Sequence, residues 1–86
     1  MSFYDEKHAL VTGGGSGIGA ACARVLADKG AKVTIIGRNA ERLAAAAASM
    51  SVSCQVADVT DRAQVNTAFK AAVGEHGNID ILVNNA

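Results

Sequence analysis

The chain has 86 residues, of which 50% are hydrophobic and 19% charged, and it contains no proline. This composition excludes a disordered chain, and the length allows one small domain at most. The formal net charge is zero, with eight basic and eight acidic residues, so the charge pattern gives no indication of a nucleic-acid partner.

The N-terminal sequence and the cysteines bear on cellular location. Met1 to Glu6 are polar and partly acidic and lack the basic and apolar regions of a signal peptide, and no apolar stretch approaches membrane-spanning length. Cys22 and Cys54 have neither a Cys-x-x-Cys spacing nor a histidine pattern suited to zinc. We therefore expect two reduced, buried cysteines, a cytoplasmic location and no membrane partner.

The first third of the chain predicts a strand, a glycine turn and a helix. The apolar run His8–Thr12 stops at three glycines and predicts a buried strand. A helix is predicted from Gly17 to Lys29, and Gly30 stands where its C-terminal cap belongs. The apolar positions of this helix recur at helical spacing, at Ile18, Cys22, Val25 and Leu26.

The same unit then repeats. A second strand is predicted at Lys32–Gly37, and Asn39 is the predicted N-cap of an alanine-rich helix from Ala40 to Ser49. A third strand at Val52–Ala57 leads to Asp58.

A third helix and a fourth strand complete the pattern. Thr60 or Asp61 can cap this helix, which ends at Gly77, and the fourth strand is Ile79–Val83. The predicted apolar side of the helix carries Val65, Ala68, Phe69, Ala72 and Val73.

Four strands alternating with three helices predict an α/β fold, a Rossmann-type doubly wound parallel sheet with helices on both faces. The expected strand order is 3-2-1-4. In that order the first and fourth strands flank the point where the chain reverses direction, and the loops after them form the crevice where a ligand binds. These loops contain Gly13 to Gly19 and Asn84 to Ala86.

The glycine loop has chemistry suited to a phosphate. Thr12-Gly13-Gly14-Gly15-Ser16-Gly17-Ile18-Gly19 follows a strand and opens a helix. Glycines allow a tight turn and close approach of a pyrophosphate, and the helix N-terminus supplies N–H donors and positive potential. The loop can also be parsed as Gly15-x-Gly17-x-x-Ala20, or as a connector without a ligand. A triphosphatase-type loop is excluded, because Ala20 stands where that loop needs lysine.

The spacing Thr-Gly-x-x-x-Gly-x-Gly resembles the short-chain dehydrogenase/reductase family, and the resemblance extends from Lys7 to Ala86. Asp58-Val59 looks like the family's adenine contact, where the carboxylate faces the adenine amino group and the next N–H meets a ring nitrogen. Asn84-Asn85-Ala86 matches the start of its Asn-Asn-Ala-Gly segment, near the adenosine ribose. The resemblance implies that residues 1–86 are the N-terminal part of a single NAD(P)-binding Rossmann domain.

The implied cofactor site consists of Gly13, Ser16, Gly17, Ile18, Gly19, Arg38, Asp58, Val59, Asn85 and Ala86. Asp58 could instead prepare the cap of the following helix. For Asn84 we expect a structural role, its amide joining neighbouring strands. His8 and His76 have no partner pattern, and we expect surface or turn positions for both.

The end of the second strand bears on the choice of cofactor. NAD sites place an acidic residue there to bind the ribose hydroxyls, whereas this chain has Gly37 followed by Arg38. A guanidinium can pair with the 2′-phosphate of NADP and stack on adenine. The sequence therefore favours NADP over NAD. Two points weigh against this prediction: Arg38 could pair with Glu41, and many NADP-preferring members carry a basic residue near Ser16.

The family's catalytic residues are not found in this sequence. Members transfer hydride between nicotinamide and a carbonyl or alcohol carbon with a Tyr-x-x-x-Lys motif, a serine and an asparagine. Tyr4 is the only tyrosine and is followed by Lys7 at the wrong spacing, so we expect it to be a terminal packing residue. The fourth strand would also be an exposed apolar edge. We therefore expect a piece of a longer polypeptide whose catalytic C-terminal part is absent, and the resemblance implies a homo-oligomeric parent.

Three functions remain open at this point. The first is an NAD(P)-dependent oxidoreductase that acts on a small carbonyl or alcohol. The second is a non-catalytic module that senses NADP(H), since fold does not guarantee chemistry. The third is a sugar epimerase or dehydratase of the extended branch, whose loop is typically Thr-Gly-x-x-Gly-x-x-Gly. Ile18 occupies the deciding position of that loop, so this function ranks last.

Overall fold

A computed structural model describes residues 4–13 and 17–84. Along these residues the elements are β1 (His8–Thr12), α1 (Gly17–Asp28), β2 (Lys32–Gly37), α2 (Ala40–Met50), β3 (Ser53–Val56), α3 (Arg62–His76) and β4 (Ile81–Asn84). The strands form one parallel sheet in the order β3-β2-β1-β4. The predicted fold class and strand order are therefore confirmed.

Side-chain caps set the ends of the helices. Asn39 begins α2 as predicted, its side chain accepting a hydrogen bond from the Arg42 N–H. Of the two candidates for α3, Asp61 is the cap, and its carboxylate accepts from the N–H groups of the second and third residues of the helix. Gly77 ends α3 with a φ of 88°, a left-handed conformation that suits glycine.

The core has two halves, one on each face of β1, whose five residues are all buried. One half packs under α1 and α2, and the other packs under α3. Alternate strand residues serve the two sides, so that Ala9 and Val11 belong to the first half and Leu10 to the second. Burial on both faces explains why β1 is a continuous apolar run rather than an alternating one.

The face by which α1 packs differs from the predicted one. The residues of α1 that are buried are Gly19 and Ala23, whereas Ile18 is 74% and Val25 53% exposed. Small residues let the helix lie close to the sheet, so the larger apolar residues are displaced to its flank. There they line a groove of about 610 Å³ whose other wall includes Ile81.

The apolar side of α3 is only partly as predicted. Ala68 and Ala72 are buried, Val65 and Phe69 are half-buried, and Val73 is 38% exposed. As in α1, the small residues make the close contact with the sheet. Helical periodicity predicts which side of α3 is apolar. The distance between helix and sheet decides which residues of that side the sheet buries.

The expectation that His8 lies at the surface is wrong. This first residue of β1 is 1% exposed. Its Nδ1 donates to the carbonyl oxygen of Gly77 over 3.0 Å, since a carbonyl can only accept, and its Nε2 forms a hydrogen bond of 2.9 Å with the Thr34 hydroxyl. The half-buried His76 ring meets it edge-on at 5.2 Å. A polar side chain is tolerated at this depth because both ring nitrogens have partners.

The backbone of His8 also joins β1 to the start of β4. Its N–H donates to the Asp80 carboxylate over 3.0 Å, and the Asp80 N–H donates to the His8 carbonyl over 2.9 Å. This exchange precedes the register in which Ala9 lies opposite Ile81. Polar contacts therefore join the amino ends of the two strands, and the pairs of apolar residues follow them along the chain.

Three further expectations can be compared with the structure. Cys22 and Cys54 are free thiols, as expected, but both are half-buried rather than fully buried. Tyr4 packs against the core cluster beneath α1 and α2, which confirms its packing role. Within residues 4–13 and 17–84, none of the helices has the length and apolar character needed to cross a membrane.

We predict that His8→Leu lowers the free energy of unfolding by about 1 to 3 kcal/mol, because the buried Thr34 hydroxyl loses its partner. Adding Thr34→Val should recover part of this loss, since the unpaired hydroxyl is then removed. Urea denaturation followed by circular dichroism measures both effects. The exposed Lys32→Ala is the control, with an expected change within about 0.5 kcal/mol. Further destabilisation by the added Thr34→Val would contradict the role given to this hydrogen bond.

Candidate cofactor site

The carboxyl ends of β1, β2 and β3 meet at one edge of the sheet. The N–H of Gly13, directly after β1, donates to the Ile36 carbonyl over 2.8 Å, and the Ala57 N–H donates to the Gly37 carbonyl over 2.9 Å. These bonds bring the three strand ends side by side. The pocket between them measures about 270 Å³ and is lined by Gly13, Gly37, Arg38, Ala57, Asp58, Val59 and Thr60. Four of these residues, Gly13, Arg38, Asp58 and Val59, belong to the predicted site, and two more directly precede one of its members.

The two described glycines that flank the middle of the glycine loop have a left-handed backbone. Gly13 and Gly17 have φ values of 69° and 61°, a region that side chains disfavour. Gly17 begins α1, so the free N–H groups of the helix N-terminus lie at the end of the loop. Gly19 is buried against the sheet, whereas Ile18 is 74% exposed. Close packing of helix on strand therefore involves the last glycine of the motif.

Three predicted ligands lie outside the described residues, namely Ser16, Asn85 and Ala86. The same holds for Gly14 and Gly15 of the loop. Their predicted contacts with the cofactor stay predictions.

Asp58 follows β3 with a carboxylate that is held in place by its neighbours. One oxygen, Oδ1, accepts from the Thr60 N–H over 2.9 Å and from the Thr60 hydroxyl over 2.7 Å. The Asp58 N–H donates to the side-chain oxygen of Gln64 over 2.9 Å. The hydrogen bond from the Thr60 hydroxyl, then that from its N–H, and then the charge of Arg38 hold the pKa of Asp58 below its usual value. The group is therefore a carboxylate at neutral pH.

These contacts bear on the alternative role of Asp58. The cap of α3 is Asp61, so Asp58 is not the capping residue itself. It turns the chain toward that cap through Thr60, and its second oxygen remains directed to the pocket rim where Arg38 lies. Val59 is 43% exposed beside it, and among the described residues no acceptor takes its backbone N–H. The two residues predicted to meet adenine are thus adjacent, and both line the same pocket.

Arg38 lies at the rim of the pocket with 81% of its side chain exposed. Its Nη1 is 3.7 Å from Asp58 Oδ2. The sequence raised an ion pair between Arg38 and Glu41 as an alternative. In the structure the partner of Arg38 is Asp58. Both residues were predicted ligands of one nucleotide, but nothing in the sequence indicates that they contact each other.

Asn84 has the structural role expected of it. Its side-chain oxygen accepts from the Thr12 hydroxyl over 3.1 Å, and Thr12 lies opposite Asn84 in the pairing of β1 with β4. Sequence reasoning missed the contributions of Thr12, Thr60 and Gln64. The Asp-x-Thr spacing of Asp58 and Thr60 is a signal for a side-chain turn that would have identified one of them.

The comparison with family models decides the assignment. The model described as short chain dehydrogenase matches residues 7–86. The chain belongs to the short chain dehydrogenase family. Curated relatives agree with this assignment, since an uncharacterized oxidoreductase of Staphylococcus epidermidis is 41% identical over 88 aligned positions that cover 100% of this chain and 38% of the relative. A similarly named protein of Staphylococcus aureus is 42% identical over 89 positions, again with 100% and 38% coverage.

Solved structures match this family member over nearly its whole length. The apo form of Caenorhabditis elegans glucose dehydrogenase has a TM-score of 0.92 and 42% identity, covering 99% of this chain and 39% of that one. An actinorhodin polyketide ketoreductase solved with NADPH has a TM-score of 0.92 and 33% identity, with 100% and 35% coverage. The chain thus spans less than two fifths of the length of these relatives.

We predict that Gly19→Val abolishes dinucleotide binding, because a branched side chain would separate α1 from the strand where the pyrophosphate approaches. Isothermal titration with NADPH, with circular dichroism as the check on folding, measures the effect. The matched control is Gly74→Ala on α3, where an added Cβ meets nothing within 4 Å. This control should leave affinity unchanged and raise stability by up to about 1 kcal/mol. Unchanged affinity in a folded Gly19→Val variant would refute the loop assignment.

Proposed function

We propose that the chain is the cofactor-binding part of an NADP(H)-preferring oxidoreductase that transfers hydride between the nicotinamide and a carbonyl or alcohol substrate. The catalytic tyrosine and lysine are supplied by the remainder of such a protein, which we propose to be a cytoplasmic homo-oligomer. In this assignment Gly13, Ser16 to Gly19 and the start of α1 hold the pyrophosphate. Asp58, Val59, Asn85 and Ala86 contact the adenosine.

The observation that carries the cofactor proposal is the composition of the pocket rim. Gly37 at the end of β2 presents no carboxylate to the ribose hydroxyls, and the exposed guanidinium of Arg38 follows it. A 2′-phosphate is therefore not repelled at Gly37, and it can form a charge-assisted pair with Arg38. The relative solved with NADPH supports a nicotinamide dinucleotide as the ligand.

We predict that Arg38→Leu weakens NADPH binding roughly tenfold to a hundredfold while leaving NADH binding nearly unchanged, because a charge-assisted pair contributes about 1.5 to 3 kcal/mol. Titration of the chain with each dinucleotide at fixed salt gives the two affinities. In the Arg38→Leu background, Gly37→Asp should reverse the preference toward NADH by placing a carboxylate near the ribose hydroxyls.

The matched control for Gly37→Asp is Gly37→Ala. An added Cβ at this position would lie 3.1 Å from Leu43 Cδ1, so both variants displace the same leucine and only one adds a carboxylate. If NADH affinity rises in Gly37→Asp but not in Gly37→Ala, the effect is due to the added charge. Equal loss of both dinucleotides on Arg38→Leu would show that Arg38 has no role in 2′-phosphate recognition.

Hydride transfer is tested with a chimera in which the chain replaces the matching 39% of the Caenorhabditis elegans glucose dehydrogenase, to which it is 42% identical. We expect the chimera to oxidise glucose with a higher kcat/KM for NADP than for NAD, measured by absorbance of the reduced nicotinamide. Arg38→Leu in the chimera should remove that difference. A folded chimera that binds NADP without turnover would favour a sensing role, and a preference for NAD would refute the cofactor assignment.

A further inference from the structure

Arg38 and Asp58 pair with each other at the rim of the pocket that we assign to adenosine. Their charged atoms are 3.7 Å apart, and the side chains are 81% and 29% exposed. Both line the same space of about 270 Å³. A ligand that enters this pocket therefore meets a guanidinium that already has an anionic partner.

The carboxylate is held more firmly than the guanidinium. Both lone pairs of Asp58 Oδ1 are directed to Thr60, which donates through its N–H and its hydroxyl. Gln64 holds the backbone of Asp58 through a third hydrogen bond. Oδ2 is thus the oxygen that faces Arg38, and it stays in place whether or not the exposed arginine side chain moves.

We propose that Asp58 is a specificity-determining residue that moderates the preference of this site for a 2′-phosphate, because it competes with that phosphate for the Arg38 guanidinium. This inference rests on the proposed function. When a nucleotide without a 2′-phosphate binds, Arg38 keeps its partner. When a nucleotide with a 2′-phosphate binds, the guanidinium is shared with or transferred to the phosphate.

The relative strength of the two pairs sets the size of the effect. An exposed ion pair at this separation is worth a factor of roughly two to five in an equilibrium constant. A bidentate pair with a doubly charged phosphate is worth a factor of roughly ten to a hundred. The phosphate therefore displaces Asp58 from Arg38, but competition with Asp58 lowers the affinity for the 2′-phosphorylated nucleotide by roughly two- to fivefold. The site retains measurable affinity for the nucleotide that lacks the phosphate.

Two probes that contain only the adenosine half test the proposal, adenosine 5′-monophosphate and adenosine 2′,5′-bisphosphate. The quantity measured is the ratio of their dissociation constants for the 86-residue chain, from titrations followed by nuclear magnetic resonance at fixed salt. Both probes report on the same folded population, so partial unfolding of a variant cancels in the ratio. Asp58→Asn keeps a side-chain oxygen for Thr60 and removes the charge.

We expect Asp58→Asn to raise the preference for the bisphosphate by roughly two- to fivefold. In the Arg38→Leu background the same substitution should change the ratio by much less, because the residue for which the groups compete is gone. An unchanged or lowered ratio in Asp58→Asn would overturn the proposal. A rise of equal size with and without Arg38 would also overturn it, since it would reflect direct repulsion between Asp58 and the phosphate.

Failure of the proposed function gives a different result. If neither probe binds the unsubstituted chain, the adenosine site itself is wrong. If both bind but Arg38→Leu leaves their ratio unchanged, Arg38 does not recognise the 2′-phosphate and the NADP preference is wrong. The third result concerns the competition alone. If Arg38→Leu removes the preference for the bisphosphate but Asp58→Asn leaves the ratio unchanged, Arg38 recognises the phosphate and Asp58 does not compete with it.

Discussion

The parallel pairing of β1 with β2 on one side and with β4 on the other is the contact on which the site depends. β1 is buried on both faces, and its register places Thr12 opposite Ile36 in one neighbour and Asn84 in the other. Because the strands are parallel, their carboxyl ends must meet at one edge. Gly13, the end of β2 and the last described residue of β4 therefore lie along one edge of the sheet although they are distant in sequence.

Features that depend on local sequence could be predicted from it. The alternation of strands and helices and the caps at Asn39 and Gly77 follow from periodicity and the chemistry of single residues, and the strand order was expected from that alternation. Features that depend on residues distant in sequence could not be predicted. His8 is buried because Thr34 and Gly77 complete its hydrogen bonds from 26 and 69 positions away, and no pattern around His8 indicates either partner.

The candidate site shows the same division. Arg38, Asp58 and Val59 were identifiable from their positions after predicted strands, and the structure brings all three to one pocket. The contact between Arg38 and Asp58 was not identifiable, since it depends on how the ends of β2 and β3 align. The Arg38–Asp58 pair has no net charge, so the site presents to a phosphate the N–H groups at the start of α1 and a guanidinium that already has an anionic partner. Discrimination between cofactors then rests on small differences at an exposed rim.

The polar contacts of His8 and Asp80 lie at the amino ends of the strands, opposite the proposed cofactor edge. The two ends of the sheet therefore have separate roles. Contacts at the amino ends hold the strands in register, and the carboxyl ends carry the loops. A protein organised in this way can exchange its loops during evolution without disturbing the contacts that align its sheet. For the same reason the fold suits loop grafting, in which new recognition surfaces are built on the carboxyl edge of an unaltered scaffold.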